Sequence, residues 1–160
     1  MEGKRAVITD FIYKNQASMY RLAFAYTHSR EAALDIVQDT VVQALTHASS
    51  LKAAEAVKAW VFRILVNESL AYLRRNKRFI LVEDLPEDLV EDEDIGQKLD
   101  VYRAVSRLDP KLRTVVMLRF YEDMKLEEIA RITGTNLNTV KSRLYTALGR
   151  LREDLGCEVL

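Results

Sequence analysis

An all-α chain, with two small helical domains on either side of an acidic linker, is what this sequence predicts. Three observations predict it. Apolar residues recur at the three- and four-residue spacing of a helix through most of the 160 residues, with no strand-like alternation. Only five Gly and two Pro interrupt them. The stretch 81–94, LVEDLPEDLVEDED, breaks the pattern with a proline and a run of carboxylates.

The charge follows the same division. Residues 1–78 carry 12 Lys and Arg against 7 Asp and Glu, a block of +5. Residues 79–97 carry 8 acids and no Lys or Arg, and residues 98–160 carry 12 cations against 9 acids, so a net charge of zero hides blocks of −8 and +3. Self-repelling acidic stretches are usually solvated linkers. The expected organisation is a domain over 5–78, a linker over 79–96 and a domain over 97–156. Domains of roughly 60–75 residues bury little core, so each is expected to lean on partners.

In the first domain, Ile8, Phe11, Ile12, Met19, Leu22, Ala23 and Tyr26 form one helical stripe. Ser29 is placed to cap the next helix. Ala33, Ile36, Val37, Thr40, Val41, Ala44 and Leu45 make that helix's buried face, beside a polar, acidic edge of Asp35, Gln38, Asp39, Thr40 and Gln43. Taken alone it is an ordinary amphipathic helix. Periodicity weakens over 46–56, which predicts a turn. Trp60, Val61, Ile64, Leu65 and Ala71 then mark a long third helix running into Arg74, Arg75, Lys77 and Arg78. Arg63, Asn67, Arg74 and Arg78 share one side of it. Asn reads base edges, and Arg and Lys neutralise phosphates. Trp60 and Tyr72 are aromatics of the kind that stack on unpaired bases, although Trp60 by itself fits a core position better.

The second domain opens with a helix through Val101, Val105 and Leu108. Asp109-Pro110 is a stop and restart, an Asp cap with Pro after it at the first helical position. Leu112, Val115, Val116 and Phe120 are expected to face the core of the new helix. Residues 126–150, LEEIARITGTNLNTVKSRLYTALGR, then read as helix, tight turn, helix. Glu127 and Glu128 suit a first turn, Gly134 suits a left-handed stop, and Thr135 or Asn136 caps the second helix. Val140, Leu144, Ala147, Leu148 and Leu151 face inward. Asn138, Thr139, Lys141, Ser142, Arg143 and Tyr145 remain on the outer face near the helix start, the layout of a recognition helix in a DNA major groove.

Several function classes are excluded by what the sequence lacks. No apolar run approaches the ~20 residues of a membrane span, and residues 1–10 lack the apolar core of a secretory signal. Cys157 is the single cysteine, and His28 and His47 belong to no ligand-spaced cluster. No Ser/His/Asp arrangement or glycine-rich phosphate loop is present. The expectation is a cytoplasmic protein that is not an enzyme and has no metal, cofactor or small-molecule substrate. Zero net charge argues against a strong free-standing DNA binder.

Taken together these segments resemble the extracytoplasmic-function (ECF, group 4) sigma factors of the sigma-70 family, promoter-recognition subunits of bacterial RNA polymerase. The resemblance runs over nearly the whole chain. DIVQDT (35–40) is similar to the family helix that docks on the polymerase clamp, which implies polymerase contacts for Asp35, Gln38, Asp39 and Gln43. KAWVFRILVNESLAYLRRNKR (58–78) is similar to the segment that opens and reads the −10 element, which implies DNA contacts for Trp60, Arg63, Asn67, Arg74, Arg75, Lys77 and Arg78. The segment 109–144 is similar to the domain that binds the −35 element and the polymerase flap; TVKSRL (139–144) is its most specific piece. It implies −35 contacts for Asn138, Thr139, Lys141, Ser142, Arg143 and Tyr145. The implied partners are the polymerase core, promoter DNA and an anti-sigma factor, often membrane-anchored in this family. The chain departs from the family at Lys125, where Ser or Thr commonly caps the helix, at Thr146, where a cation is common, and at Ala71-Tyr72, where an Asp is usual.

Two other readings compete. A free-standing helix-turn-helix regulator explains the C-terminal half but leaves DIVQDT and the basic run of the third helix unused. A pure interaction module leaves the Thr139–Arg143 run unused.

Overall fold

The computed structural model describes residues 2–76 and 93–156, and among them every regular element is helical, with no strand. The expected all-α class is what the chain adopts. The chain divides into two compact units, Met1–Arg78 and Phe79–Leu160.

In the first unit, α1 (Glu2–Lys14) and α2 (Gln16–Thr27) carry the first apolar stripe. The sequence reads as one stripe, but the helix breaks at Asn15. Its amide Nδ2 donates to the Phe11 carbonyl at 2.8 Å, and its backbone N–H turns to Ile12 at 3.1 Å. A side chain competing for a backbone carbonyl is a common way for Asn to interrupt a helix. Ile8, Ile12, Met19, Leu22 and the run Ala23–Tyr26 are buried on either side of the break. Phe11 meets Phe62 edge to face, with centroids 6.1 Å apart.

His28 ends α2 in the left-handed conformation (φ 53°), and Ser29 begins α3 (Arg30–Thr46) by accepting the Ala32 N–H on its hydroxyl at 3.2 Å. Ala33, Ile36, Thr40 and Ala44 are the buried row of α3. Thr40 therefore belongs to the apolar face and not to the polar edge. Its hydroxyl donates to the Ile36 carbonyl at 2.8 Å and so needs no water. The weak stretch after α3 holds two 3₁₀ turns, Ala48–Ser50 and Ala54–Ala56, with Leu51 buried between them. α4 (Val57–Arg75) buries Val61, Phe62, Leu65, Val66 and Ser69. α2, α3 and α4 pack on one another, and α1 packs on α3 and α4.

In the second unit, α5 spans Glu93–Ser106 and so begins four residues before the expected start of this domain. Asp109 accepts the Lys111 N–H at 3.0 Å, and Pro110 opens α6 (Pro110–Val116). The helix then widens into a π turn over Met117–Tyr121, with the Glu122 N–H reaching back five residues to Met117 at 3.2 Å. The extra residue shifts the register. Met117 and Leu118 are buried, whereas Phe120, expected in the core, is 51% exposed. α7 (Leu126–Thr133) and α8 (Leu137–Leu155) complete the unit, and α5, α6 and α7 all pack against α8.

Candidate nucleic-acid interface

The pair α7 and α8 is built by its ends. Lys125 has an ammonium where a cap needs an acceptor, but Glu128 closes the other half of a capping box. Its Oε1 accepts the Lys125 backbone N–H at 3.2 Å. Gly134 ends α7 in the left-handed region (φ 67°), and the Thr135 N–H returns to the Ala130 carbonyl at 3.1 Å. Asn136, and not Thr135, caps α8: its Oδ1 accepts the Thr139 N–H at 2.8 Å. The Thr133 hydroxyl lies 2.9 Å from that of Thr135, which ties the turn across the glycine.

These caps fix the faces of α8. Val140, Ala147 and Leu151 are buried against the rest of the unit, and Leu144 and Leu148 are half-buried at their border. Asn138, Lys141, Ser142 and Tyr145 are exposed on the opposite side, with Tyr145 80% exposed. Thr139 and Arg143 are half-buried, at the edge between the two faces. The free face thus offers a cation, amide and hydroxyl groups and a projecting phenol within two helical turns. This is the chemistry that reads base edges and holds phosphates.

A second polar face lies on α4. Arg63, Asn67, Arg74 and Arg75 are exposed, while Trp60 and Tyr72 are half-buried beside them. Arg63, Arg74 and Arg75 have no hydrogen bond or ion pair among the described residues, so each guanidinium keeps its donors for an outside acceptor. Lys77 and Arg78 lie outside the described residues.

A third face lies on α3. Asp35, Gln38, Asp39 and Gln43 are exposed. Leu34 and Val42 are exposed among them, at 45% and 61%, and neither was expected there from the sequence. The signal was present: Leu34, Gln38 and Val42 recur at four-residue spacing, and neither apolar residue fits the buried stripe. Val42 places an apolar side chain amid two carboxylates and two carboxamides.

Among the described residues no cluster of His, Cys, Asp and Glu could hold a metal, and no helix is long and apolar enough to cross a membrane. Cys157 and most of the acidic stretch 79–96, through residue 92, lie outside the described residues.

Comparison with known proteins places families on both units. Residues 11–79 match the family model for sigma-70 region 2, and residues 98–151 match that for sigma-70 region 4. RNA polymerase sigma factor SigV of Bacillus subtilis is 38% identical over 158 residues, covering 98% of this chain and 95% of the relative. ECF RNA polymerase sigma factor SigM of Mycobacterium tuberculosis is 30% identical over 156 residues, covering 96% and 80%. Among solved structures, the sigma factor RpoE of Bartonella quintana, in complex with the anti-sigma factor NepR, superposes with a TM-score of 0.73 at 27% identity, covering 92% of this chain and 97% of that one. CnrH, in complex with the cytosolic domain of CnrY, shares the fold with a TM-score of 0.71 at 21% identity, covering 93% and 87%.

Proposed function

The chain belongs to the sigma-70 family, in its extracytoplasmic-function group, and from that premise we propose a division of labour between its two units. It is an alternative sigma factor: it binds the RNA polymerase core, recognises −35 and −10 promoter elements and enables transcription to start. Residues 5–78 dock on the polymerase and hold the −10 element, residues 97–156 hold the −35 element, and residues 79–96 connect them. The chain supplies specificity and no catalytic chemistry of its own, and it acts where the polymerase is, in the cytoplasm.

The observation that carries this reading is the free face of α8. Asn138, Lys141, Ser142 and Tyr145 are exposed, while Val140, Ala147 and Leu151 hold the helix from behind. Asn138 and Ser142 are the base-reading residues, and Lys141, Arg143 and Tyr145 reach phosphates, with Thr139 at the edge. On α4, Asn67 reads an unpaired base of the melted −10 strand, Trp60 supplies a stacking surface, and Arg63, Arg74 and Arg75 track the backbone, joined by Lys77 and Arg78, which follow in the sequence. On α3, Asp35, Gln38, Asp39 and Gln43 contact the polymerase, and Leu34 and Val42 add the apolar area that a charged face lacks. Zero net charge fits this arrangement, because polymerase provides the affinity that the chain alone does not.

Control by an anti-sigma factor is part of the reading. One structural neighbour, the sigma factor RpoE of Bartonella quintana, was solved in complex with an anti-sigma factor. An inhibitor of this kind covers the same docking faces that polymerase needs.

The test is reconstituted transcription: core polymerase with and without this chain on a library of promoter-length duplexes, read as run-off RNA. New start sites sharing two sequence blocks at a fixed spacing are expected. Tight operator binding by the chain alone, with no new transcripts, would move it to the free-standing regulators.

A further inference from the structure

Gly149 lies in the interior of α8, six residues before the helix ends at Leu155. A glycine in a helix interior destabilises it relative to alanine. Among the described residues, nothing outside the helix's own backbone requires one here. A Cβ built on Gly149 meets no atom within 4 Å, and the residue is no cap, since Gly156 closes the helix in the left-handed conformation.

Its place on the helix is specific. Asn138, Ser142, Tyr145 and Gly149 stand at i, i+4, i+7 and i+11, a single ridge pointing away from the buried row of Val140, Ala147 and Leu151. At 1.5 Å per residue, Gly149 lies roughly 16 Å along the helix from Asn138. The major groove is only about 12 Å wide. A helix that seats its first two turns in that groove therefore brings Gly149 to the rim, where the sugar–phosphate backbone crosses. Arg152 is three residues further on, on the side of the ridge that Lys141 occupies. It is exposed and has no side-chain partner among the described residues. Arg150 lies on the other side of the ridge, lining a groove with Arg107 and Asp154.

We propose that the bare backbone at Gly149 seats a DNA phosphate, which the Arg152 guanidinium neutralises. Without a Cβ the strand can rest against the helix itself, and the planar donors of Arg152 reach the phosphate oxygens from the flank. The contact carries no sequence information. It sets how deeply and at what angle α8 enters the groove, and so places Asn138 and Ser142 on their bases. This inference rests on the −35 reading of α8.

Gly149→Ala and Arg152→Ala are made in the full chain and assembled with core polymerase. Each is titrated with a promoter duplex selected by the wild-type holoenzyme, over a series of salt concentrations, beside thermal unfolding of the free chain. Gly149→Ala is expected to raise the Tm by roughly 4–8 °C while weakening promoter binding about tenfold, whatever the −35 sequence. Arg152→Ala is expected to lower the slope of log affinity against log salt by about 1. A Gly149→Ala chain that melts higher and binds promoter as tightly as wild type overturns the proposal. So does one that loses Tm and affinity together, since that is a packing role, and so does a salt slope unmoved by Arg152→Ala. A wild-type holoenzyme that selects no promoter at all overturns instead the reading on which the proposal rests.

Discussion

The Glu128 carboxylate accepts the backbone N–H of Lys125 at 3.2 Å, so α7 starts with half of a reciprocal capping pair. The missing half is the acceptor that Lys125 lacks, leaving an N–H of the first turn to water. Lys125→Thr supplies that acceptor without disturbing Glu128. It is expected to stabilise the chain by about 1 kcal/mol, measured as a shift in urea midpoint at unchanged slope. Glu128→Ala is expected to act in the opposite direction.

Gly134 and Gly149 belong to the same pair of helices and predict opposite signs. A Cβ at Gly134 meets nothing within 4 Å, so the cost of Gly134→Ala is purely that of holding φ at 67°. That cost is about 1–2 kcal/mol, against a gain for alanine at Gly149. Denaturant unfolding of the two variants side by side checks both. Equal shifts would mean that neither backbone conformation governs stability.

A substitution at the exposed Val42 tests whether α3 presents a docking face or a solvated one. Val42 is 61% exposed beside Asp39 and Gln38, so Val42→Asp leaves the core untouched and is expected to change stability by less than about 0.5 kcal/mol. If α3 docks on polymerase through this face, core binding falls about tenfold or more, because a valine is no longer buried and a carboxylate is. Competition between wild-type and variant chains for core polymerase measures it. Unchanged competition would return α3 to the solvated helices.

The sequence shows most plainly those parts where one residue type has one physical use. Asp109-Pro110, Ser29 and Gly134 each announce a helix end, and each is found at one. The inward row of α8 is equally plain, because Val140, Ala147 and Leu151 repeat at helical spacing. What the sequence hides depends on backbone choices that several sequences allow. The apolar stripe runs unbroken across Asn15, and only the side-chain bond to Phe11 divides it. Phe120 sits in register with Leu112 and Val116 until the π turn adds a residue and turns it outward. Leu34 and Val42 are hidden for another reason: an apolar residue is read as core unless its position on the helix is plotted against the others. The faces of α3, α4 and α8 are legible as surfaces. What each surface touches came from resemblance, since charge and spacing alone suit several partners.

The −35 reading proposed for α8 divides its free face into positioning residues and reading residues, and salt dependence tests that division. Lys141 is an exposed cation on the second turn, whereas Asn138 and Ser142 are exposed and uncharged one turn apart. A phosphate contact contributes through released counterions, so Lys141→Ala is expected to weaken holoenzyme binding about equally on all −35 variants and to lower the salt slope by about 1. A base contact contributes through a hydrogen-bond pattern that a wrong base cannot meet. Asn138→Ala and Ser142→Ala are therefore expected to leave the slope alone and to relax preference at one or two −35 positions, each by about 1–3 kcal/mol. The measurement is promoter affinity across a set of single-base −35 substitutions at two salt concentrations. If Lys141→Ala instead changes preference at a single base, the ammonium is reading a guanine edge and not a phosphate. If Asn138→Ala and Ser142→Ala move the slope, α8 lies flatter on the backbone than its capped start implies, and the reading residues must be sought further along the ridge at Tyr145.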